Sequence, residues 1–317
     1  MAVRVLVTGG AGFIGSHVVE ELLRRGDSVL VLDNFSTGSE ENLNEVVAEV
    51  PSAAGRLEVV KGDVRDRELV RELVEVSEGV IHLAAQPSVV RSLEAPVEVN
   101  EVNYIGTLNV LEAARGKGVK LVIASSSSVY GDIPELPKRE DMVPRPKSLY
   151  AVSKLASELA GRVFWKTWGV ENIHLRYFNI FGPRQRHDSP YAAVVPRFIS
   201  AVLLGKRPVI YGDGFQTRDL TFVKDAVQAT LLALEKGEGF SVYNVAAGSQ
   251  VSVLELLNTL KEITGKEVEP VFAEPRPGDV RHSRASLEKI GKELGYRPRW
   301  SLKEALKETV RWYERAL

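Results

Sequence analysis

Short apolar runs alternate with amphipathic stretches through the first half of this chain. Val3–Thr8, Ser28–Asp33, Leu57–Lys61, Val80–Leu83 and Leu121–Ser125 read as strands. Between them Gly15–Arg25, Asp66–Val76 and Val102–Arg115 carry apolar residues at spacings of three and four, which predicts helices. Repeated strand–helix units of this length imply parallel strands joined by right-handed crossovers, with helices covering both faces. A further helix, from about Ser148 to Trp168, leads into the strand Ile173–Tyr177. The segment joining it to the first half, Leu136–Lys147, holds three prolines and many charges and is expected to be a surface loop.

After Asn179 the texture changes. Gly182-Pro-Arg184, Arg207-Pro208, Gly212-Asp-Gly214 and Pro275-Arg-Pro-Gly-Asp279 are turn-rich, with short elements between them. Phe222–Leu234 and Ser241–Val245 read as a helix and a strand that return to the main sheet. The expectation is an α/β fold: a doubly wound parallel sheet formed by residues 1–178 plus 221–247, and a smaller α/β domain formed by 179–220 plus 248–317. Leu302, Leu306, Val310 and Tyr313 share one helical stripe at the C-terminus, as a packing face does.

Composition narrows the class. The 317 residues are 44% hydrophobic and 26% charged, enough for a sizeable core, and the net charge of −1 comes from well-mixed signs. Nothing points to nucleic acid or an anionic membrane surface. No apolar stretch is long enough to span a bilayer. Val3–Val7 runs directly into glycines with no signal-peptide pattern, so a cytoplasmic enzyme is expected. There is no cysteine, hence no disulfide or thiolate metal site, and the five scattered histidines form no ligand pair, so no metal is expected. The lack of Cys, only two Met and the wealth of Lys, Arg and Glu lean toward a thermophilic source.

Two places carry candidate chemistry. Val5-Leu-Val-Thr-Gly9-Gly-Ala-Gly12-Phe13-Ile14-Gly15 reads as a strand, a glycine turn and a helix start. Gly9 suits the tight turn, Gly12 a close backbone approach to a pyrophosphate, and Gly15 close helix–strand packing. The phosphate charge then sits at a helix N-terminus, as in a Rossmann-type site. Asp33, with Asn34 beside it, ends the second strand; its carboxylate can accept from both adenosine ribose hydroxyls and repels a 2′-phosphate, favouring NAD over NADP. Asp63, followed by Val64, ends the third strand, where a carboxylate can accept from an adenine amino group or simply be a solvated turn residue. Leu83, Ala84, Ala85 and Gln86 follow His82 at the fourth strand's end and suit a cofactor lying across the strand ends, while His82 reads as a satisfied strand-end histidine.

The second place is Tyr150-Ala-Val-Ser-Lys154, downstream of Ser125-Ser-Ser-Ser128. A phenol of pKa near 10 becomes a base near neutrality only after a shift of about 3 units, roughly 4 kcal/mol. A cation about 4 Å away at an effective dielectric of about 20 supplies that much; an exposed pair supplies far less. Alone, Tyr150 and Lys154 could be a surface helix pair.

Together these motifs resemble the extended short-chain dehydrogenase/reductase superfamily, and within it the chain is similar to the UDP-glucose 4-epimerases. The likeness runs from residue 1 to about 310, through Thr8–Gly15, His82–Ala85, Asn103-Tyr-Ile-Gly-Thr107, Ser125–Gly131, Tyr150–Lys154, Arg176-Tyr177-Phe-Asn179 and Arg276–Asp279. The resemblance implies that Tyr150, as phenolate, takes the proton of a sugar 4-hydroxyl while hydride leaves C4. Lys154 then holds the nicotinamide ribose and lowers the tyrosine pKa, helped by the positive nicotinamide, and Ser126 bonds the reacting oxygen. It places Asn103, Ser125 and Tyr177 at the cofactor too. It assigns Asn179 to diphosphate or sugar, Arg218 and Arg276 to phosphates, Asp279 to the uridine ribose, Tyr211 to the base, and Val194 to the substrate pocket. An Arg218 ion pair with Asp219 or Asp225 is the plain alternative for that residue.

In the related 4,6-dehydratases an Asp and a Glu stand where Ser127 and Ser128 are here, and two serines cannot supply that acid and base. Uronate epimerases or decarboxylases, a sugar reductase and a non-catalytic NAD-sensing protein stay open as alternatives. Ser283 stands where some family members close the sugar pocket with a tyrosine, so N-acetylhexosamines are expected to fit. Family members often form homodimers through the helices corresponding to 102–115 and 150–166.

Overall fold

The computed structural model describes residues 3–53, 55–187, 193–275 and 280–317. Its first half runs β1 (Arg4–Thr8), α1 (Phe13–Arg24), β2 (Ser28–Asp33), α2 (Glu40–Glu49), β3 (Leu57–Lys61), α3 (Arg67–Glu75) and β4 (Gly79–His82). Two short helices, α4 (Val89–Glu94) and α5 (Pro96–Asn100), and a π-helical turn at Glu101–Ile105 lead into α6 (Gly106–Ala113). Then come β5 (Lys120–Ser126), α7 (Leu149–Trp168) and β6 (Asn172–Tyr177). The helix expected over 102–115 therefore begins one turn late, because that first turn is wound as π.

The second half runs β7 (Ile180–Phe181), α8 (Val194–Leu203), β8 (Val209–Tyr211), β9 (Thr217–Arg218), β10 (Thr221–Phe222), α9 (Val223–Lys236) and β11 (Phe240–Val245). It closes with β12 (Val251–Ser252), α10 (Val253–Thr264), β13 (Val271–Ala273), α11 (Glu288–Leu294) and α12 (Leu302–Ala316).

Seven parallel strands form the main sheet in the order β11-β6-β5-β4-β1-β2-β3. Alternate residues of each strand feed opposite cores. Val5, Val7, Val29, Val31 and Ile81 pack with α1 and α9, whereas Leu6, Leu30, Leu32 and Val80 pack with α3 and α6. Burial on both faces is why these strands read as continuous apolar runs. The strand order reverses between β1 and β4, where Thr8 pairs with His82. A doubly wound sheet opens a ligand crevice at the carboxyl ends of the strands at such a point.

A separate core joins β7, α8, α10 and α12 through Phe181, Phe198, Phe222, Leu256, Leu260, Leu306 and Tyr313. Helices α10 and α12 pack in this smaller core, whereas α11 does not. Ile290, Leu294 and Tyr296 lie in the core of the main sheet, and the Tyr296 hydroxyl donates to the Ala246 carbonyl at 2.8 Å. Among the described residues no helix is long and apolar enough to cross a membrane.

Candidate functional site

The turn after β1 is built for backbone proximity. Gly9 has φ +73°, and a Cβ there would lie 2.7 Å from the Ala84 nitrogen. A Cβ on Gly15 would lie 2.0 Å from the Gly9 carbonyl oxygen, so α1 can pack on the turn only with glycine. Gly12 differs: its backbone is extended, and an added Cβ would meet only the Gly9 oxygen, at 3.1 Å. Among the described residues no other heavy atom outside its chain neighbours lies within 4 Å of that position. Helix α1 starts there with no side-chain cap and no acidic residue in its first turn. Its free N–H groups thus suit an anion such as a pyrophosphate. Ile14 packs between the two cores, and Phe13 packs on the smaller one.

The buried Asp33 carboxylate accepts from the Ala11 N–H at 2.9 Å and the Phe35 N–H at 2.8 Å, pinning the glycine turn to the end of β2. Burial raises its pKa and those backbone donors oppose the rise. With the Asn34 N–H also directed at it, the carboxylate keeps acceptor capacity for a hydroxyl. Asp63 is more fully engaged: Arg65 bonds it bidentately at 2.9 Å and adds its N–H, and the Asn34 amide donates at 2.8 Å. The Arg65 fork holds its pKa down to about 2. All four acceptor directions are used, so an adenine amino group would have to displace one of these donors. Val64 is buried against Gly106.

At the end of β4 a closed hydrogen-bond chain fixes the tautomer of His82. Thr107 donates to the Asn103 carbonyl at 2.6 Å, so it accepts from His82 Nε2 at 3.1 Å. His82 Nδ1 then accepts from Thr8 at 2.7 Å, and Thr8 accepts from the Ala84 N–H at 3.3 Å. Burial lowers the His82 pKa to about 3, so it is a neutral, satisfied histidine. Asn103, buried in the π turn, accepts from the Gln86 N–H at 2.7 Å and donates to the Gln86 carbonyl and to Ser153. It therefore shapes the half-buried Leu83–Gln86 segment against α7.

Ser148 caps α7 by accepting from the Ala151 N–H at 3.1 Å, which sets Tyr150 in the first turn and Lys154 one turn on. Ser126 ends β5 and accepts from the N–H of Ser128 at 3.2 Å and from its hydroxyl at 2.9 Å. The Ser126 proton is left to donate. Burial raises the Tyr150 pKa above the ordinary phenol value, and a hydrogen bond with Ser126 offsets part of the rise. Lys154 does not supply the downward pull expected from its spacing. Its ammonium donates to the Ala124 carbonyl at 2.9 Å, and burial lowers its pKa to about 8.

Ser125 turns away from the crevice and donates to Glu158 at 2.5 Å. The Tyr177 ring lies in the main core with its hydroxyl bonded to Thr230 at 2.7 Å, so only the Tyr177 backbone can reach a cofactor. In the sequence Glu158 carries no role, Ser128 enters only as the position where dehydratases carry an acid, and Arg176 only as part of a motif. The available signal was that Glu158 continues the inward stripe of Tyr150 and Lys154 on α7.

Across the crevice, Asn179 has φ +40°, and its side chain donates to the Asp219 carbonyl at 3.1 Å. Arg218 donates to the Thr217 carbonyl at 3.0 Å. The two acids proposed as its alternative partners are engaged elsewhere. Asp219 accepts from the N–H groups of Ala247, Ser249 and Ala285, and Asp225 from those of Arg299 and Trp300. Tyr211 lies 5.7 Å from the Arg197 guanidinium, and Val194 opens α8. Arg276 and Asp279 lie outside the described residues.

Residues 6–309 match the family model described as GDP-mannose 4,6 dehydratase. The chain is 39% identical over 315 residues to a putative UDP-glucose 4-epimerase of Methanocaldococcus jannaschii, covering 97% of each chain. A Thermus thermophilus UDP-glucose 4-epimerase solved in complex with NAD is 41% identical with a TM-score of 0.88, covering 99% of this chain and all (100%) of that one. A UDP-N-acetylglucosamine 4-epimerase of Methanobrevibacter ruminantium M1, solved with UDP-N-acetylmuramic acid, is 36% identical with a TM-score of 0.94, covering 100% and 99%.

Proposed function

The chain belongs to the family of extended short-chain dehydrogenases/reductases that the GDP-mannose 4,6 dehydratase model describes, and from that premise we propose that it is an NAD-dependent UDP-hexose 4-epimerase interconverting UDP-glucose and UDP-galactose. The observation that carries this reading is a phenol on α7 beside a serine whose proton is free to donate, followed by serines where dehydration needs acids.

The residues fit NAD: the Gly12 opening and the uncapped α1 suit the pyrophosphate, Asp33 the adenosine ribose, and Lys154 the nicotinamide ribose. Bound NAD supplies the hydride acceptor for C4, returns the hydride, and brings a positive ring beside the phenol. Tyr150 takes the 4-hydroxyl proton and later restores it. Ser126 donates to the reacting oxygen and holds it in line. Between the two half-reactions the 4-keto sugar turns over within the crevice. On protein groups alone Tyr150 lies above its ordinary pKa, so its service as a base depends on charge that arrives with the cofactor. One unit charge about 4 Å away at an effective dielectric of about 20 is worth roughly 4 kcal/mol, about 3 pKa units.

The test is to incubate the purified protein with UDP-galactose and no added reductant. UDP-glucose is the expected product; no turnover in either direction would overturn the reading. Ser283 supports acceptance of N-acetylhexosamines, because its small side chain lies beside β9 with its N–H on the Thr217 carbonyl at 3.2 Å. Turnover of UDP-glucose with none of UDP-N-acetylglucosamine would reject that extension. The exposed Ile105, Val152, Leu159 and Val163 on the π turn and α7 support a homodimer through this face. Leu159→Glu should yield a monomer by light scattering, and a monomeric parent would refute the dimer.

A further inference from the structure

The inward stripe of α7 is zipped to the sheet turn by turn. Tyr150 meets Ser126, Lys154 bonds the Ala124 carbonyl at 2.9 Å, and Glu158 accepts from Ser125 at 2.5 Å. Next on the stripe, Gly161 packs so closely on β6 that an added Cβ would lie 2.2 Å from Asn172 Oδ1. Glu158 is itself held from β6. Arg176 forks onto it with Nε to Oε1 at 2.9 Å and Nη2 to Oε2 at 2.7 Å, and both side chains are about 95% buried (4% and 5% exposed).

The same guanidinium lies 4.8 Å over the ring of Tyr130, whose hydroxyl donates to Asn244 at 2.7 Å. Tyr130 closes the 3-10 turn that begins just after Ser126. One buried ion pair thus supports both halves of the reacting geometry: Glu158 through α7 and Ser125, Arg176 through Tyr130 and the serine turn. Stability alone is a poor reason for it. Buried pairs seldom outperform apolar residues of similar volume, and Arg176 Nη1 is buried with no hydrogen-bond partner.

We infer that Glu158 and Arg176 are positioning residues that set the distance between Ser126 and Tyr150, an inference that rests on the epimerase reading above. A rotation of α7 by about 5–10° moves a side-chain tip at the ~6 Å outer radius of the helix by roughly 0.5–1 Å. Misplacement by about 1 Å can cost on the order of 100-fold in rate. Both side chains are buried and engage each other, Ser125 and the Tyr130 ring, so the loss belongs in kcat.

The experiment compares Ser125→Ala and Glu158→Gln with wild type in UDP-galactose turnover. KM, retained NAD and thermal melting are measured on the same preparations. Ser125→Ala removes one hydroxyl and leaves the ion pair in place. Glu158→Gln sets an amide against Arg176 Nη2–H. The expected result is kcat down about three- to tenfold in the first variant and about 10- to 100-fold in the second. KM should change less than about twofold, with NAD retained. If Glu158→Gln does not fold, Ser125→Ala decides. Folded variants with wild-type kcat would overturn the inference, as would losses confined to KM or to NAD content. A wild-type protein with no turnover would instead sink the epimerase reading and this inference with it.

Discussion

Gly12 and Gly15 stand three residues apart in one motif, yet alanine at the two positions should fail in opposite ways. At Gly15 the new Cβ would lie 2.0 Å from the Gly9 oxygen and 2.8 Å from the Gly10 Cα, where ordinary contact begins at 3.4 Å. The helix must retreat by roughly 1.4 Å, the difference between 3.4 and 2.0 Å. Overpacking of this kind costs about 1–3 kcal/mol, set against about 1 kcal/mol gained in helix propensity. At about 2–4 °C per kcal/mol, a fall in melting temperature of a few degrees follows.

At Gly12 the backbone is one alanine adopts freely, with φ −76° and ψ 177°. Lower unfolded-state entropy is worth about 0.4–1 kcal/mol. That offsets the tight 3.1 Å contact with the Gly9 oxygen, so the fold should survive. The methyl group, however, occupies the side where a pyrophosphate must approach. If affinity falls about 100-fold, a protein that gains about 2.7 kcal/mol from NAD at 100 times Kd gains only about 0.4 at the same concentration. The assay is thermal melting with and without added NAD. Gly15→Ala should melt early in both; Gly12→Ala should melt normally and lose the NAD-induced rise. A wild-type NAD response in Gly12→Ala would refute the assigned division of labour, as would wild-type melting in Gly15→Ala.

Tyr150→Phe should lower kcat by about 10²–10⁴-fold, the range of a positioned acid–base group. Because burial holds the phenol above its ordinary pKa until a positive charge arrives, NAD binding at pH 7 should release protons from wild type and not from Tyr150→Phe; calorimetry in buffers of different ionisation enthalpy reads this directly. Lys154 is protonated below about pH 8, so NAD affinity should weaken above that pH in wild type and be weak and flat in Lys154→Met. For Asp219, burial raises the folded pKa to about 6, above its unfolded value near 4, so the native state binds the extra proton and stability falls as pH rises through that window. The effect is on the order of 3 kcal/mol. The melting temperature of Asp219→Asn relative to wild type should therefore be higher at pH 7 than at pH 4.

Much of the sheet was legible because the central strands are buried on both faces and therefore continuously apolar, so Ser28–Asp33 has the bounds its composition predicts, while the edge strand Leu57–Lys61, largely exposed, was marked only by its short β-branched run. The glycine turn was legible for a similar reason, since a close approach excludes every other side chain. The π turn was not, because Val102–Arg115 has ordinary helical spacing and the extra residue per turn is set by the tertiary bonds of Asn103 to Gln86 and Ser153. The return of α11 to the main sheet was hidden in the same way, since it depends on Tyr296 reaching Ala246.

Within the site, the helical spacing of Tyr150 and Lys154 puts both on the inward face of α7 but does not name the partner of the ammonium. A four-residue spacing sets which face a side chain occupies, whereas the ammonium's partner, the Ala124 carbonyl, comes from another element. The buried pair Glu158–Arg176 joins a helix to a strand 18 residues on, and no local pattern records that contact.

Reversible oxidation at one carbon can be followed through a single atom. Purified protein is given UDP-galactose carrying deuterium at C4, with no added cofactor or reductant, and the product is analysed by mass spectrometry and NMR. The expected result is UDP-glucose with the deuterium retained at C4 and none in solvent, because the hydride that leaves C4 is the one returned to its other face. Product that has lost the label to water, or loss of water from the sugar itself, would contradict the account.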